Sequence, residues 1–183
     1  MGLSVFWDNS NIWLVGRNVC HARERGDEGG FRIHFARLLD FVLDGRPLDY
    51  AFVGGSIPPQ SDPLWARFEN LGAVVEKQQR GEITGGEVGV DEVIQLAIAN
   101  RVLDEQGGSV VLLTGDGSGY SDGKGFIKQL ERAHKHGWGI EVVSWDAGCN
   151  RYLRDFAQKH GTYRALEPVY EAVTFINNKR WAR

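Results

Sequence analysis

"SVVLLTGDGSG", residues 109–119, decides the fold. An apolar run, Val110–Leu113, enters a glycine-rich turn with no polar residue alternating along it. A strand of that kind is covered on both faces, as in the centre of a parallel sheet. Asp116 follows just past its carboxyl end, and open α/β sheets bind their ligands beyond the carboxyl ends of the strands. One stretch therefore sets both a fold class and a place to look for chemistry.

Outward from it, strand-like and helix-like stretches alternate. "LSVFW" (3–7), "LDYAFVGG" (48–55) and "AVVEKQQ" (73–79) read as three strands before the 109–115 strand; "IEVVSW" (140–145) and "TYRAL" (162–166) read as two after it. Between them, Val90, Val93, Ile94, Ala97, Ile98 and Val102 keep the 3.6-residue period of a helix, and "FIKQLERAHKHG" supplies another. A further helix is expected near 150–160, and one from Asp62 through Leu71 with Ser61 or Asp62 as cap. Phe31, Phe35, Leu38, Leu39 and Val42 share a helical face over 31–43, after a polar loop holding Arg17, Arg23, Arg25 and "GDEGG". Strands alternating with helices predict an α/β chain, a parallel sheet with helices on both faces. Residues 1–176 read as one domain and 177–183, "NNKRWAR", as a flexible basic tail.

Composition narrows the function classes. No apolar run approaches the roughly 18 residues of a membrane span, and "MGLSVFW" lacks the basic lead of a secretory signal. Cys20 and Cys149 stand alone, without a CxxC pair, which argues against a disulfide framework or zinc site. These features predict a cytoplasmic protein. The net charge of −3 provides no global pull on a polyanion, so such a partner must meet a local basic patch.

Three acids sit where the fold could gather them: Asp8 after the first strand, Asp91 at a helix start, and Asp116. Singly, each has a plain role, Asp8 and Asp91 as helix N-caps and Asp116 as a turn residue. Together they would repel one another, and a divalent cation relieves that; oxygen-only ligands select Mg2+ or Mn2+ over zinc. "TGDGSGYSDGKG" (114–125) is not a Walker loop, because Ser118 and Gly125 stand where glycine and Ser/Thr are needed. It is not an EF-hand either, with Ser118 and Tyr120 at ligand positions. His134 and His136, two apart on a helix, face different ways.

"VFWDNSNIW", "GVDEVIQLAIANRVLD" and "VVLLTGDGSGYSDGKGFIKQLERAHKHGWGIEVVSW", taken in order, resemble the NYN family of PIN-like nucleases over roughly residues 3–166. The family's D-x-x-N is matched by Asp8 and Asn11, its V-D helix start by Val90 and Asp91, and its S/T-G-D by Thr114, Gly115 and Asp116. A second aspartate that many members carry two residues further on is Ser118 here; an apparent insertion then brings Asp122. The resemblance implies a PIN-like α/β/α sandwich with strands ordered 3-2-1-4-5. It implies a metal-dependent, endonucleolytic ribonuclease using Mg2+ or Mn2+ held by Asp8, Asp91 and Asp116, with Asn11 orienting a carboxylate or water. Asp122 is a secondary candidate ligand, although capping a helix near Gly123 is its commoner use. Lys77, Arg80, Lys124 and Arg151 are candidates to hold the backbone of single-stranded RNA, and Trp13 or Tyr120 to stack a base. Two rivals stand beside this reading: a non-catalytic RNA-binding adaptor on the same fold, and a small-molecule phosphohydrolase. The latter usually has a second aspartate where this chain has Ser10.

Overall fold

Leu3–Asp8 (β1) is buried at every position, since it has a strand on either edge and helices over either face. The computed structural model describes residues 2–57, 62–79 and 89–182. After β1 come Asn9–Glu24 (α1), Phe31–Ile33 (β2), Phe35–Leu43 (α2), Leu48–Ile57 (β3), Asp62–Asn70 (α3) and Val74–Gln79 (β4). Val90–Asp104 (α4), Ser109–Leu113 (β5), Gly125–Lys135 (α5), Gly139–Ser144 (β6) and Arg151–His160 (α6) follow. Thr162–Ala165 (β7), Tyr170–Val173 (α7) and Thr174–Ile176 (β8) end the described elements.

Six strands form one parallel sheet in the order β4-β3-β1-β5-β6-β7. Counting this sheet's strands along the chain, the expected order 3-2-1-4-5 holds, and the sixth strand adds beside the fifth. Side-chain alternation along β1 divides the core in two. Leu3, Val5 and Trp7 pack with Ile12 of α1, Leu38 of α2 and Phe68 of α3; Phe6 packs with Ile94 of α4, Leu130 of α5 and Leu153 of α6. In the first layer Trp7 meets Phe68 edge-on, ring centroids 5.0 Å apart, and Phe68 meets Phe35 at 4.4 Å. Truncating a fully buried aromatic of this kind costs about 3–5 kcal/mol.

On the other face a glycine sets the spacing. A Cβ on Gly54 of β3 would lie 2.7 Å from Ile94 Cγ1, closer than real contacts allow. Only glycine lets α4 lie this near the sheet, and that approach carries Asp91, three residues before Ile94, toward the carboxyl end of β1.

Four expectations are corrected. Arg17 and Arg23 lie on α1, not in a loop. The buried stripe of that helix (Ile12, Gly16, Val19, Cys20) is narrow and contains glycine, so polar residues dominate its sequence. Phe31 does not open the 31–43 helix; it begins β2, which pairs antiparallel with β8 in a small separate sheet. His34 caps α2 instead, accepting from the Arg37 N–H at 3.4 Å. Residues 177–180 are tied down: Asn177 donates its N–H to the Gly30 carbonyl, Arg180 bonds Glu24 Oε1 at 2.9 Å and the Thr174 carbonyl at 2.8 Å, and Lys179 pairs with Asp27. Lastly, Asp122 caps no helix. It ends a short 3-10 turn, Tyr120–Asp122, while Lys124 precedes α5 without a side-chain cap bond.

No helix among the described residues is long and apolar enough to cross a membrane.

Candidate functional site

Asp8 both caps a helix and joins two strands. It is 3% exposed, with extended backbone, and its Oδ1 accepts the Asn11 N–H at 3.0 Å as N-cap of α1. Its Oδ2 accepts the Thr114 hydroxyl at 2.8 Å, across from the end of β5. The N-terminal end of α1 adds the positive pole of the helix dipole, which favours a carboxylate here by about 0.3–1 kcal/mol.

Past β5 the chain turns through Thr114, Gly115 and Asp116. Thr114, fully buried, uses its oxygen twice: it donates to Asp8 and accepts the Asp116 N–H at 3.2 Å. Asn11 Oδ1 accepts the Gly115 N–H at 2.7 Å, so the first turn of α1 holds the loop as well as capping the helix. From the other side Asn150 donates its N–H to the Gly115 carbonyl at 2.8 Å. A Cβ on Gly115 would meet the Gly148 carbonyl oxygen at 2.7 Å, a backbone contact with no side chain to move aside. The loop bearing Asp116 is thus clamped between α1 and the segment leading into α6. Asp116 itself is held within the loop, Oδ1 accepting the Ser118 N–H at 3.0 Å and Oδ2 the Ser118 hydroxyl at 2.9 Å.

Asp91 completes the convergence. It stands second in α4, behind a Gly89 N-cap in left-handed conformation, and is not itself the cap. Burial pushes its carboxyl up to about 7; the negative charges of Asp8 and Asp116 and a hydrogen bond with Asp116 add to this. A hydrogen bond between two carboxyl groups requires a proton on one of them, so Asp91 keeps its proton where an ordinary aspartate would have lost it. The three acids that the sequence scatters over more than a hundred residues therefore feel one another at the carboxyl ends of β1 and β5.

Hard oxygen donors with uncompensated negative charge have the chemistry of a Mg2+ or Mn2+ site. Among the described residues, however, no group of three or more His, Cys, Asp or Glu side chains is set to grip one ion as it stands. Asp116 spends a hydrogen bond from each oxygen on Ser118, and the proton on Asp91 removes one negative charge from the cluster, so the donors suit such an ion in kind without being gathered around one point.

The remaining candidates are dispersed. Asp122 is exposed in the 3-10 turn and makes no clamp contact. Lys124 is exposed before α5, and Arg151 is exposed at the first position of α6. Lys77 of β4 pairs through its backbone with Gly55 of β3, toward the carboxyl ends of the strands, and Arg80 lies outside the described residues. Asn11 takes a part that its expected role of orienting a carboxylate or water did not include: its Oδ1 holds the Gly115 backbone. Three residues carry parts that spacing alone did not assign. Thr114 bridges the two acids, Asn150 braces the loop, and Gln95 of α4 accepts the Gly125 N–H at 3.0 Å, tying the helix that bears Asp91 to the start of α5. Of these, Thr114 had a signal, as the hydroxyl residue between a strand and Gly-Asp.

Compared with known proteins, the chain matches no family model and no curated protein. It is similar in fold to a crystal structure of a protein of unknown function from Vibrio parahaemolyticus, with a TM-score of 0.65 and 16% identity, over 91% of this chain and 93% of that one. A likeness at that identity concerns the fold alone.

Proposed function

We propose that this chain is a metal-dependent ribonuclease of the NYN type, hydrolysing phosphodiester bonds at the edge formed by β1 and β5. The observation that supports it best is the convergence of Asp8, Asp91 and Asp116, with Asp91 holding a proton against the charge of its neighbours. In this reading Asp8, Asp91 and Asp116 would hold Mg2+ or Mn2+. Such an ion supplies charge neutralisation at the attacked phosphate and acidifies water. Thr114 and Asn11 keep Asp8 and the Asp116 loop in register, and Asn150 keeps the loop from lifting away from α6. Each Asp116 oxygen accepts one bond from Ser118 and keeps a lone pair beside it, for which a cation would compete with that bond. Lys124 and Arg151, exposed on either flank of the loop, would meet the phosphates of a single strand.

A second reading, a non-catalytic RNA-binding module, draws on the same Ser118 contacts: a carboxylate tied back into its own loop is one fewer donor for a metal. The phosphohydrolase reading is weaker. As a nucleophile, Asp8 would need a free oxygen, and its oxygens accept from Asn11 and Thr114.

Titration with Mn2+ followed by calorimetry, beside cleavage of a labelled single-stranded RNA, tests the choice. Metal binding that Asp8→Asn and Asp116→Asn each weaken, together with cleavage that both abolish, is expected. RNA binding indifferent to metal, without cleavage, would replace the nuclease by the adaptor.

A further inference from the structure

Three aromatic side chains among the described residues are widely open to solvent: Tyr120 at 43%, Tyr152 at 62% and Trp181 at 82%. Two of them stand at the Asp116 loop. Tyr120 lies within the loop's continuation, in the 3-10 turn before α5. Tyr152 is fixed to it from the other side. Its N–H donates to Asn150 Oδ1 at 2.9 Å, and that same Asn150 donates its own N–H to the Gly115 carbonyl at 2.8 Å. A Cβ on Gly117 would fall 2.5 Å from Asn150 Cγ, so the residues on both sides of Asp116 touch the cap on which Tyr152 sits.

The ring is also held. The Arg151 guanidinium lies 5.0 Å from its centroid, and Arg151 Nη2 donates to the Tyr152 hydroxyl at 3.2 Å. An exposed tyrosine that packs on no core gains nothing by burial. An arginine over one side of the ring restricts its rotamers and places a positive charge at its edge. A flat aromatic face beside a guanidinium has the parts of a single-strand subsite, with a base stacked on the ring and its phosphate on the cation.

We infer that Tyr152, steadied by Arg151, is a base-stacking platform that takes one unpaired base of an RNA strand whose scissile phosphate lies at Asp116. The inference rests on the ribonuclease reading for the identity of the ligand. It gives that reading's single-strand preference a physical cause: the base must leave its stack to meet the ring, so single-stranded RNA is taken and a blunt A-form duplex, whose base faces are covered by one another, is not. It also makes Tyr152 a positioning residue, because it holds the strand and touches no reacting atom.

The test uses a single-stranded RNA of about ten nucleotides carrying 2-aminopurine, whose fluorescence falls on stacking, added to the Asp116→Asn protein so that no strand is cut. Quenching is expected with Tyr152 present and with Tyr152→Phe, and is expected to vanish in Tyr152→Ala with binding about tenfold weaker, the loss of one base–aromatic stack. In the otherwise unchanged protein, Tyr152→Ala should raise KM for single-stranded RNA about tenfold while leaving kcat within about twofold. Cleavage and binding of single strands by the unchanged protein, together with identical affinity, quenching and KM in Tyr152→Ala, would overturn the platform and leave the nuclease reading standing. Quenching that depends on Tyr152 without cleavage in Mg2+ or Mn2+ would support the platform and remove the nuclease. Neither binding nor cleavage of RNA would remove both.

Discussion

Asp8, at the carboxyl end of β1, and Asp91, in the first turn of α4, are neighbouring acids, yet the fold treats them oppositely. Asp8 is nearly sealed from solvent, but a backbone N–H, a threonine hydroxyl and a helix N-terminus supply what water would have given it. Asp91 is less buried but faces two like charges, and it answers by keeping a proton. Burial alone does not decide the fate of a carboxyl group; the donors and charges aimed at it do. The Asp8 half of the site is organised by hydrogen-bond donors, whereas in the Asp91–Asp116 half a retained proton relieves the repulsion.

On the proposed ribonuclease reading, the largest effect expected from breaking the acid cluster is on cleavage. Asp8→Asn and Asp116→Asn should each reduce Mn2+-dependent cleavage of single-stranded RNA by a thousandfold or more, about 4 kcal/mol of barrier. Their melting curves show whether the loss is chemical or structural. Asp116→Asn should melt as the parent does; Asp8→Asn keeps a capping oxygen for the Asn11 N–H but sets an amide N–H where the Thr114 hydroxyl needs an acceptor, and should lose about 1–2 kcal/mol. Activity within tenfold of the parent in either variant dissolves the comparison.

Next is the pH dependence of stability in chelator. The folded Asp91 carboxyl holds its proton up to about 7, well above the ordinary value of 3.8. Below about pH 4 it is protonated whether folded or unfolded and contributes nothing. Between 4 and 7 the unfolded chain releases a proton that the folded one retains, so stability falls as pH rises, and the penalty is complete above 7. The fall is of order 2–4 kcal/mol. Asp91→Asn should flatten it in urea unfolding series, and saturating Mn2+ should offset it in the parent. A parent whose Asp91-dependent stability is level across that range would mean that Asp91 does not feel its neighbours.

A third variant sharpens the organised half. Thr114→Val keeps the side-chain shape but strips the hydroxyl shared by Asp8 and the Asp116 N–H, and about 2 kcal/mol of stability should go with it. A change below about 0.5 kcal/mol would make the bridge incidental. The smallest effect is at the rim. In Asp116→Asn protein, Lys124→Ala should lower the slope of log affinity against log salt by about one for single-stranded RNA, with little change in affinity at high salt.

Much of this was legible in the chain. Val110–Leu113 and the run at 3–7 announce central strands because a strand covered on both faces must be apolar throughout. Asp8, Asp91 and Asp116 could be singled out because each stands at a junction between strand and helix. The errors arise where local pattern and tertiary context part. Phe31 continues the period of α2, but the edge of β8 captures it as a strand, since a three-residue ladder owes its existence to a distant partner. The helix α1 hides behind Arg17, Arg23 and a glycine in its buried stripe. Asp122 stands where a capping residue belongs, but the 3-10 turn ends first and Lys124 takes the position.

By itself the sequence determined the α/β class, the parallel sheet and which acids stand at the junctions of strands and helices, for these follow from apolar runs, helical periods and turn residues read over a few positions. Only the tertiary structure decided that Asp8 is cap and site residue at once, that Thr114 joins it to the Asp116 loop, that Asn150 seats Tyr152 beside that loop, and that Asp91 keeps its proton. Each of these depends on atoms a hundred or so residues apart, or on elements whose packing brings them within hydrogen-bond reach, and electrostatics acts through that distance in space, not along the chain.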